Sequence, residues 1–134
     1  MLFLLDAGAL INSVSFSFEK GNQYITTPYV DVELKDFKSK LLAQQAIEQG
    51  LLSIEAPKQE FLIKANEKLA ETNSRISKTD VSVFALALQL KSENKKFTVI
   101  TDDYSIQNAL LKEKINFEDV LRGKIKRPIA FKKK

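Results

Sequence analysis

The run TVITDDYSIQNALL, Thr98 to Leu111, changes character at its middle. Phe97 to Ile100 is short, apolar and rich in β-branched residues, the composition of a buried strand. From Tyr104 to Leu111 the apolar residues recur at helical spacing. Thr101, Asp102 and Asp103 therefore lie where a strand ends and a helix begins. In open α/β sheets, ligands bind in the crevice outside the carboxyl ends of the strands. The amino terminus repeats the pattern: Leu2 to Leu5 is a short apolar run, Asp6 follows, and Ala7 opens a helix. If these two strands are neighbours in a parallel sheet, their terminal aspartates meet.

Between them the chain alternates helix and strand. The first helix is expected over Ala7 to Ser13, followed by a polar loop from Val14 to Gln23 containing Gly21. Tyr24 to Thr27 reads as a strand. Thr27-Pro28 then gives an N-cap followed by proline at the first helical position, opening PYVDVELKD with Glu33 in its second turn. Asp36 to Gln49 forms a second helical stretch, with Phe37, Leu41, Leu42, Ala46 and Ile47 on roughly one side and Gly50 as C-cap. Leu51 to Ala56 is a strand, and Lys58 to Thr72 an amphipathic helix packing through Phe61, Leu62, Ala65 and Leu69. Asn73 to Ile76 is a turn. Ser77 to Leu90 is apolar on most sides, as a helix at the centre of a fold must be. Ile115 to Phe117 supplies a last edge strand. The expectation is an α/β fold, a three-layer sandwich with a short, mostly parallel sheet flanked by helices, over residues 1–121. Residues 122–134 form a basic tail.

Composition narrows the chemistry. The chain has 134 residues, enough for one domain with a real core. No 18-residue apolar run is present, so no membrane span is expected, and MLFLLD is too short and lacks the basic leader of a signal peptide. With no cysteine there are no disulfides and no thiolate metal sites; with no histidine there is no Ser-His-Asp triad and no His-ligated zinc. A cytoplasmic setting is the expectation. Hydrolysis here has to use carboxylates, hydroxyls, lysines or a hard metal held by oxygen. The net charge of +4 suits an anionic partner such as nucleic acid.

Asp6, Glu33, Asp80 and Asp102, with Asp103 adjacent, stand out. Each has a structural explanation of its own. Asp6 and Asp102 sit where N-caps sit, Ser77 to Asp80 has the spacing of a capping box, and Glu33 could be a solvated surface acid. Together they suggest more. Carboxylates facing one crevice repel, and some stay protonated unless a cation compensates. Mg²⁺ or Mn²⁺ takes oxygen ligands, keeps waters and leaves room for a substrate phosphate. Such an ion activates water and stabilises charge in a phosphodiester displacement.

The blocks LLDAGALI, YITTPYVDVELKD, ISKTDVSVFALALQL and VITDDYSIQNAL resemble, in order and over nearly the whole chain, the PIN domain. More narrowly they resemble the Nob family, the endoribonucleases that finish the 3′ end of small-subunit ribosomal RNA. The resemblance implies a divalent-metal-dependent endoribonuclease acting on pre-rRNA of the small-subunit precursor. It implies that Asp6, Glu33, Asp80 and Asp102 bind the metal and carry catalysis. Asp103 is then an accessory acid, Thr101 a hydroxyl orienting a carboxylate or water, and Asn108 a supporting amide, whereas Ser77 is a cap. Nob proteins usually carry a zinc ribbon after this domain, and no cysteine is available here to build one. Lys124, Lys126 and Arg127 of the tail could substitute in part through phosphate contacts. Two other readings keep the fold: a toxin ribonuclease of the VapC type, and a catalytically silent module that binds RNA or a ribosome-assembly partner. PIN domains often pair, so a homodimer is compatible with either.

Overall fold

The computed structural model describes residues 1–11, 17–71 and 76–120. Five parallel strands form the sheet: β1 (Leu2–Leu5), β2 (Gln23–Thr26), β3 (Leu52–Ile54), β4 (Phe97–Ile100) and β5 (Phe117–Glu118). Between them run helices α1 (Ala7–Ile11), α2 (Pro28–Glu33), α3 (Phe37–Glu48), α4 (Gln59–Leu69), α5 (Lys78–Ser92) and α6 (Tyr104–Lys112). The strand order is β3-β2-β1-β4-β5. From β1 the chain steps outward through β2 to β3, then crosses back to β4 and steps out the other way to β5. Right-handed crossovers therefore put α1 to α3 on one face and α4 to α6 on the other. The reversal falls between β1 and β4, which pair directly with Leu5 opposite Ile100. That is the topological switch point, where open α/β sheets hold their ligands.

The core lies on both faces. Leu4, Leu5 and Val99 are buried in the sheet, and α5 buries Val83, Phe84, Ala85, Leu86 and Ala87. The all-round apolar character of α5 is thus explained by its central place against α4, α6 and the sheet. Helix ends follow side-chain chemistry. Thr27 Oγ1 accepts from the backbone N of Val30, with Pro28 at the first helical position. Asp36 Oδ2 accepts from Ser39 N at 2.9 Å, so the helix expected over 28–36 stops at Glu33 and a new one starts. Leu34, at the break, is turned into the core. Gly50 leaves α3 at φ 78°, while Asn94 and Lys114 leave α5 and α6 at φ 60°. In these three turns the residue that follows donates its N–H to a carbonyl of the preceding helix, redirecting the chain toward the next strand.

Boundaries shifted where tertiary pairing decided them. β3 has three residues rather than six because it is an edge strand paired only with β2. β5 begins two residues later than Ile115, at Phe117, in register with Val99. In α3 the buried residues are Ser39, Ala43 and Ala46, and Phe37 is 78% exposed. The expected ends of α1 and the turn near Asn73 fall partly outside the described residues, and the basic tail falls wholly outside them.

Candidate active site

Asp6 is the fixed point of the carboxyl edge. It follows β1 directly and is buried. Its Oδ2 accepts from Thr101 Oγ1 at 2.8 Å and its Oδ1 from Ala7 N at 2.7 Å. Its own N–H donates to Ile100 O, so the ends of β1 and β4 are locked at one level. Thr101 is fully buried; its hydroxyl also accepts from Asp103 N at 3.1 Å, and its carbonyl accepts from Gln107 Nε2 at 2.8 Å. One threonine thus bonds one acid and the backbone of another.

Glu33 and Asp80 arrive from the neighbouring helices. Thr79 Oγ1 donates to Glu33 Oε2 at 2.5 Å, tying the end of α2 to the start of α5. A second tie lies beneath it. Ser82 Oγ donates to Thr79 O, so the 2.7 Å contact between Thr27 and Ser82 is donated by Thr27. Thr26 Oγ1 donates to Leu5 O, holding β2 against the end of β1. Ser77 Oγ accepts from Asp80 N at 3.1 Å, and the Asp80 carboxylate is bonded in return by Ser77. The capping box is therefore real, and the same carboxylate also faces the other acids.

The electrostatics show this. The Asp80 carboxyl is pushed up from 3.8 to about 6, first by burial and then by the charges of Asp6 and Asp103. Asp6 is also raised, first by burial, against the lowering hydrogen bonds from Thr101 and Ala7, with Asp103 and Glu33 adding to the rise. Asp103 and Glu33 thus act on Asp6, and Asp6 and Asp103 on Asp80. The ion pairs Lys68–Glu113 and Lys95–Glu93 do not engage this group.

The two consecutive aspartates diverge. Asp103 Oδ1 caps α6 through Ser105 N and Ile106 N and joins the acidic group. Asp102 Oδ1 accepts from Val120 N at 2.7 Å, at the exit of β5. Asp103, expected only as accessory, raises both Asp6 and Asp80, and Asp102 bonds the backbone at the end of the sheet. Asn108 is exposed on α6, and the buried amide supporting the site is Gln107. Lys124, Lys126 and Arg127 lie outside the described residues. Thr79, Thr26, Ser82 and Gln107 were missed in the sequence. The only signal was a hydroxyl or amide close in sequence to an expected acid or cap.

The donor set fits a hard divalent cation: all oxygen, mutually repelling, two of the acids raised and no lysine or arginine neutralising them among the described residues. No three acids among the described residues are drawn together tightly enough to cage an ion as they stand. Mg²⁺ needs only one or two direct carboxylates and keeps its waters, so the fit rests on donor type and charge.

A crossover point with a crowd of carboxylates over it is a fold and a site known together. Residues 3–90 match the family described as the PIN domain of ribonuclease, and the chain belongs to that family. It is 35% identical over 125 residues to the endoribonuclease Nob1 of Methanothermobacter thermautotrophicus, covering 92% of this chain and 71% of that protein. It is 36% identical to the Nob1 of Methanocaldococcus jannaschii over 86% of this chain and 53% of that one, so it spans about half of the latter. The resemblance to the Nob family read from the four sequence blocks is borne out. The ribonuclease VapC3 of Aeropyrum pernix is 32% identical over 78% of this chain and 75% of its own length. Among solved structures, VapBC2 from Rickettsia felis, bound to a DNA fragment from its promoter, matches at a TM-score of 0.58. It is 16% identical and covers 89% of this chain and 98% of its own, which shows the shared fold. No helix among the described residues is long and apolar enough to cross a membrane.

Proposed function

We propose that this chain is a divalent-metal-dependent endoribonuclease that hydrolyses RNA phosphodiester bonds, acting on pre-rRNA of the small ribosomal subunit to mature its 3′ end. The observation that carries the reading is the acidic group at the switch point, where Asp103 and Glu33 act on Asp6 and where Asp6 and Asp103 act on Asp80, with no cationic side chain among them in the described residues. The similarity to Nob1 endoribonucleases supports RNA as the substrate and the rRNA role.

Mg²⁺ or Mn²⁺ would be held by Asp6, Glu33, Asp80 and Asp103, where it supplies an activated water and neutralises charge on the phosphate. The protein's own part is orientation. Thr101 fixes Asp6 and the backbone of Asp103, Thr79 fixes Glu33, and Ser77 fixes Asp80. Each acid thus has a hydrogen-bond partner that fixes its direction, as the ligands of metal sites require. In this reading Asp102 is a positioning residue for the β4–β5 edge. The tail residues Lys124, Lys126 and Arg127 add phosphate contacts beyond a nuclease domain over 1–121, and the protein works in the cytoplasm.

The test is cleavage of an RNA oligonucleotide spanning the mature 3′ end of small-subunit rRNA, with Mn²⁺, with EDTA, and with Asp6→Asn. A discrete cut that needs both Mn²⁺ and Asp6 is expected. The similarity to VapC3 favours one second reading, a toxin ribonuclease. Mn²⁺-dependent cutting of other RNAs but not of this one would select it. Binding of RNA with no cutting of any would select the silent module.

A further inference from the structure

Beside the acids lies a pocket of about 420 Å³ lined by Pro28, Tyr29, Val32, Glu33 and Thr79. Glu33 belongs to it and to the acidic group at once, so whatever is held over the acids adjoins it. Pro28, Tyr29 and Val32 form its apolar walls. Tyr29 is 45% exposed and Val32 74%, and neither packs against the core. Their helix, α2, buries only Val30. Across the site, Tyr104 directly follows Asp103 as the first residue of α6 and is 77% exposed. α2 follows β2 and α6 follows β4, with β1 and Asp6 between them. The two tyrosines thus rise from strand ends two interstrand spacings apart, about 10 Å, on either side of Asp6.

Exposed aromatic rings beside a site for a backbone phosphate are how proteins hold single-stranded nucleic acid. Every base has a stacking face, and unpaired bases can be splayed onto aromatic side chains. We propose that Tyr29, in the pocket with Pro28 and Val32, and Tyr104 stack on the two bases flanking the scissile phosphate, so that the substrate is unpaired at the cut. This rests on the nuclease reading for the word scissile, but not for the stacking. A protein partner seated on the same ring is less favoured, because the pocket shares its acid with the phosphate site rather than opening onto a broad apolar face.

The test uses the full chain and a single-stranded RNA whose cut has been mapped, with each flanking nucleotide in turn made abasic or replaced by 2-aminopurine. Stacking is worth about 1–3 kcal/mol per base, so Tyr29→Ala should raise KM about 5- to 150-fold with kcat little changed. Tyr29→Phe should behave as wild type. The loss should vanish when the base on one flank is absent, and the loss from Tyr104→Ala when the base on the other flank is absent. A duplex across the cut should resist. With EDTA, wild-type protein should quench 2-aminopurine and Tyr29→Ala should not. Quenching that depends on Tyr29 in a protein that cuts nothing would leave the stacking standing and remove the nuclease. Cutting with an unchanged KM in both alanine variants would remove the stacking and leave the nuclease. Equal losses on intact and abasic RNA, or a change of oligomeric state in Tyr29→Ala with RNA affinity intact, would also overturn the proposal.

Discussion

The two edges of the sheet carry opposite charge. At the carboxyl edge, Asp6, Glu33, Asp80 and Asp103 crowd together with no neutralising side chain among the described residues. At the amino edge, Lys91, Lys95, Lys96 and Lys114 surround Met1, Phe97, Ile115 and Asn116. Two of these lysines have local partners, Lys95 in its ion pair with Glu93 and Lys91 at a helix end. Lys91 is in the last turn of α5 and donates to the carbonyl of Glu113, just past α6. Cations at helix C-termini complement the helix dipole and the last carbonyls. The acids have hydrogen-bond donors but, among the described residues, no cation beside them. Burial and like charge raise two of them, which costs stability.

The comparison breaks most visibly at Asp6. Asp6→Asn is expected to cut the metal-dependent rate by at least about 100-fold, beyond the 10- to 100-fold typical of residues that only support a ligand, while circular dichroism shows a folded protein. A folded Asp6→Asn with wild-type kcat would mean that the carboxyl edge is not the reaction centre.

Next is the pair that diverges. Asp103→Asn should lose cleavage on a scale near that of Asp6→Asn. Asp102→Ala should keep most of its cleavage but lose stability by about 1–3 kcal/mol in denaturant titration, because the buried backbone N–H of Val120 loses its acceptor. The reverse pattern would return the metal-facing role to Asp102.

Thr101→Val sharpens the point about orientation. It removes the hydroxyl between Asp6 and Asp103 N without changing a charge. Apparent Mn²⁺ affinity, read from the metal dependence of cleavage, should fall about 10- to 100-fold. Thr101→Ser should recover most of it.

The smallest effect is on thermal stability. Asp80 titrates near 6 in the folded protein against 3.8 normally. Between these values the folded state holds more protons than the unfolded, so this group's contribution is fully present below about pH 4 and is lost as pH rises through about 6. Without divalent metal, Tm should therefore fall across that window, with Asp6 acting in the same direction. Asp80→Asn should flatten the fall, and saturating Mn²⁺ should reverse it in wild type but less in the variant.

Much of this was legible in the chain itself. Period and caps placed the strands and helices, because Thr27-Pro28, Asp36, Ser77 and Gly50 act on backbone groups within a few residues. The all-round apolar α5 announced a central position. The absence of histidine and cysteine left oxygen as the only donor for a metal. Four blocks in order were enough to find the family.

Three things depended on the folded chain. The meeting of Asp6 with residues nearly a hundred positions away required β1 and β4 to pair, and strand adjacency is not a local property. The supporting hydroxyls of Thr79, Thr26 and Ser82 act across elements, where no spacing rule reaches. Asp102 and Asp103 also differ in what they bond, which their adjacency in sequence does not reveal. Along extended backbone successive side chains point to opposite sides. Thr101 bonds Asp6, the Asp103 carboxylate caps α6, and Asp102 accepts from Val120 N at the end of β5. The sequence by itself determined that carboxylates gather at strand ends with only oxygen to offer. The tertiary structure decided which of them face one another, because that depends on which strands are neighbours and on which side of the backbone each carboxylate leaves.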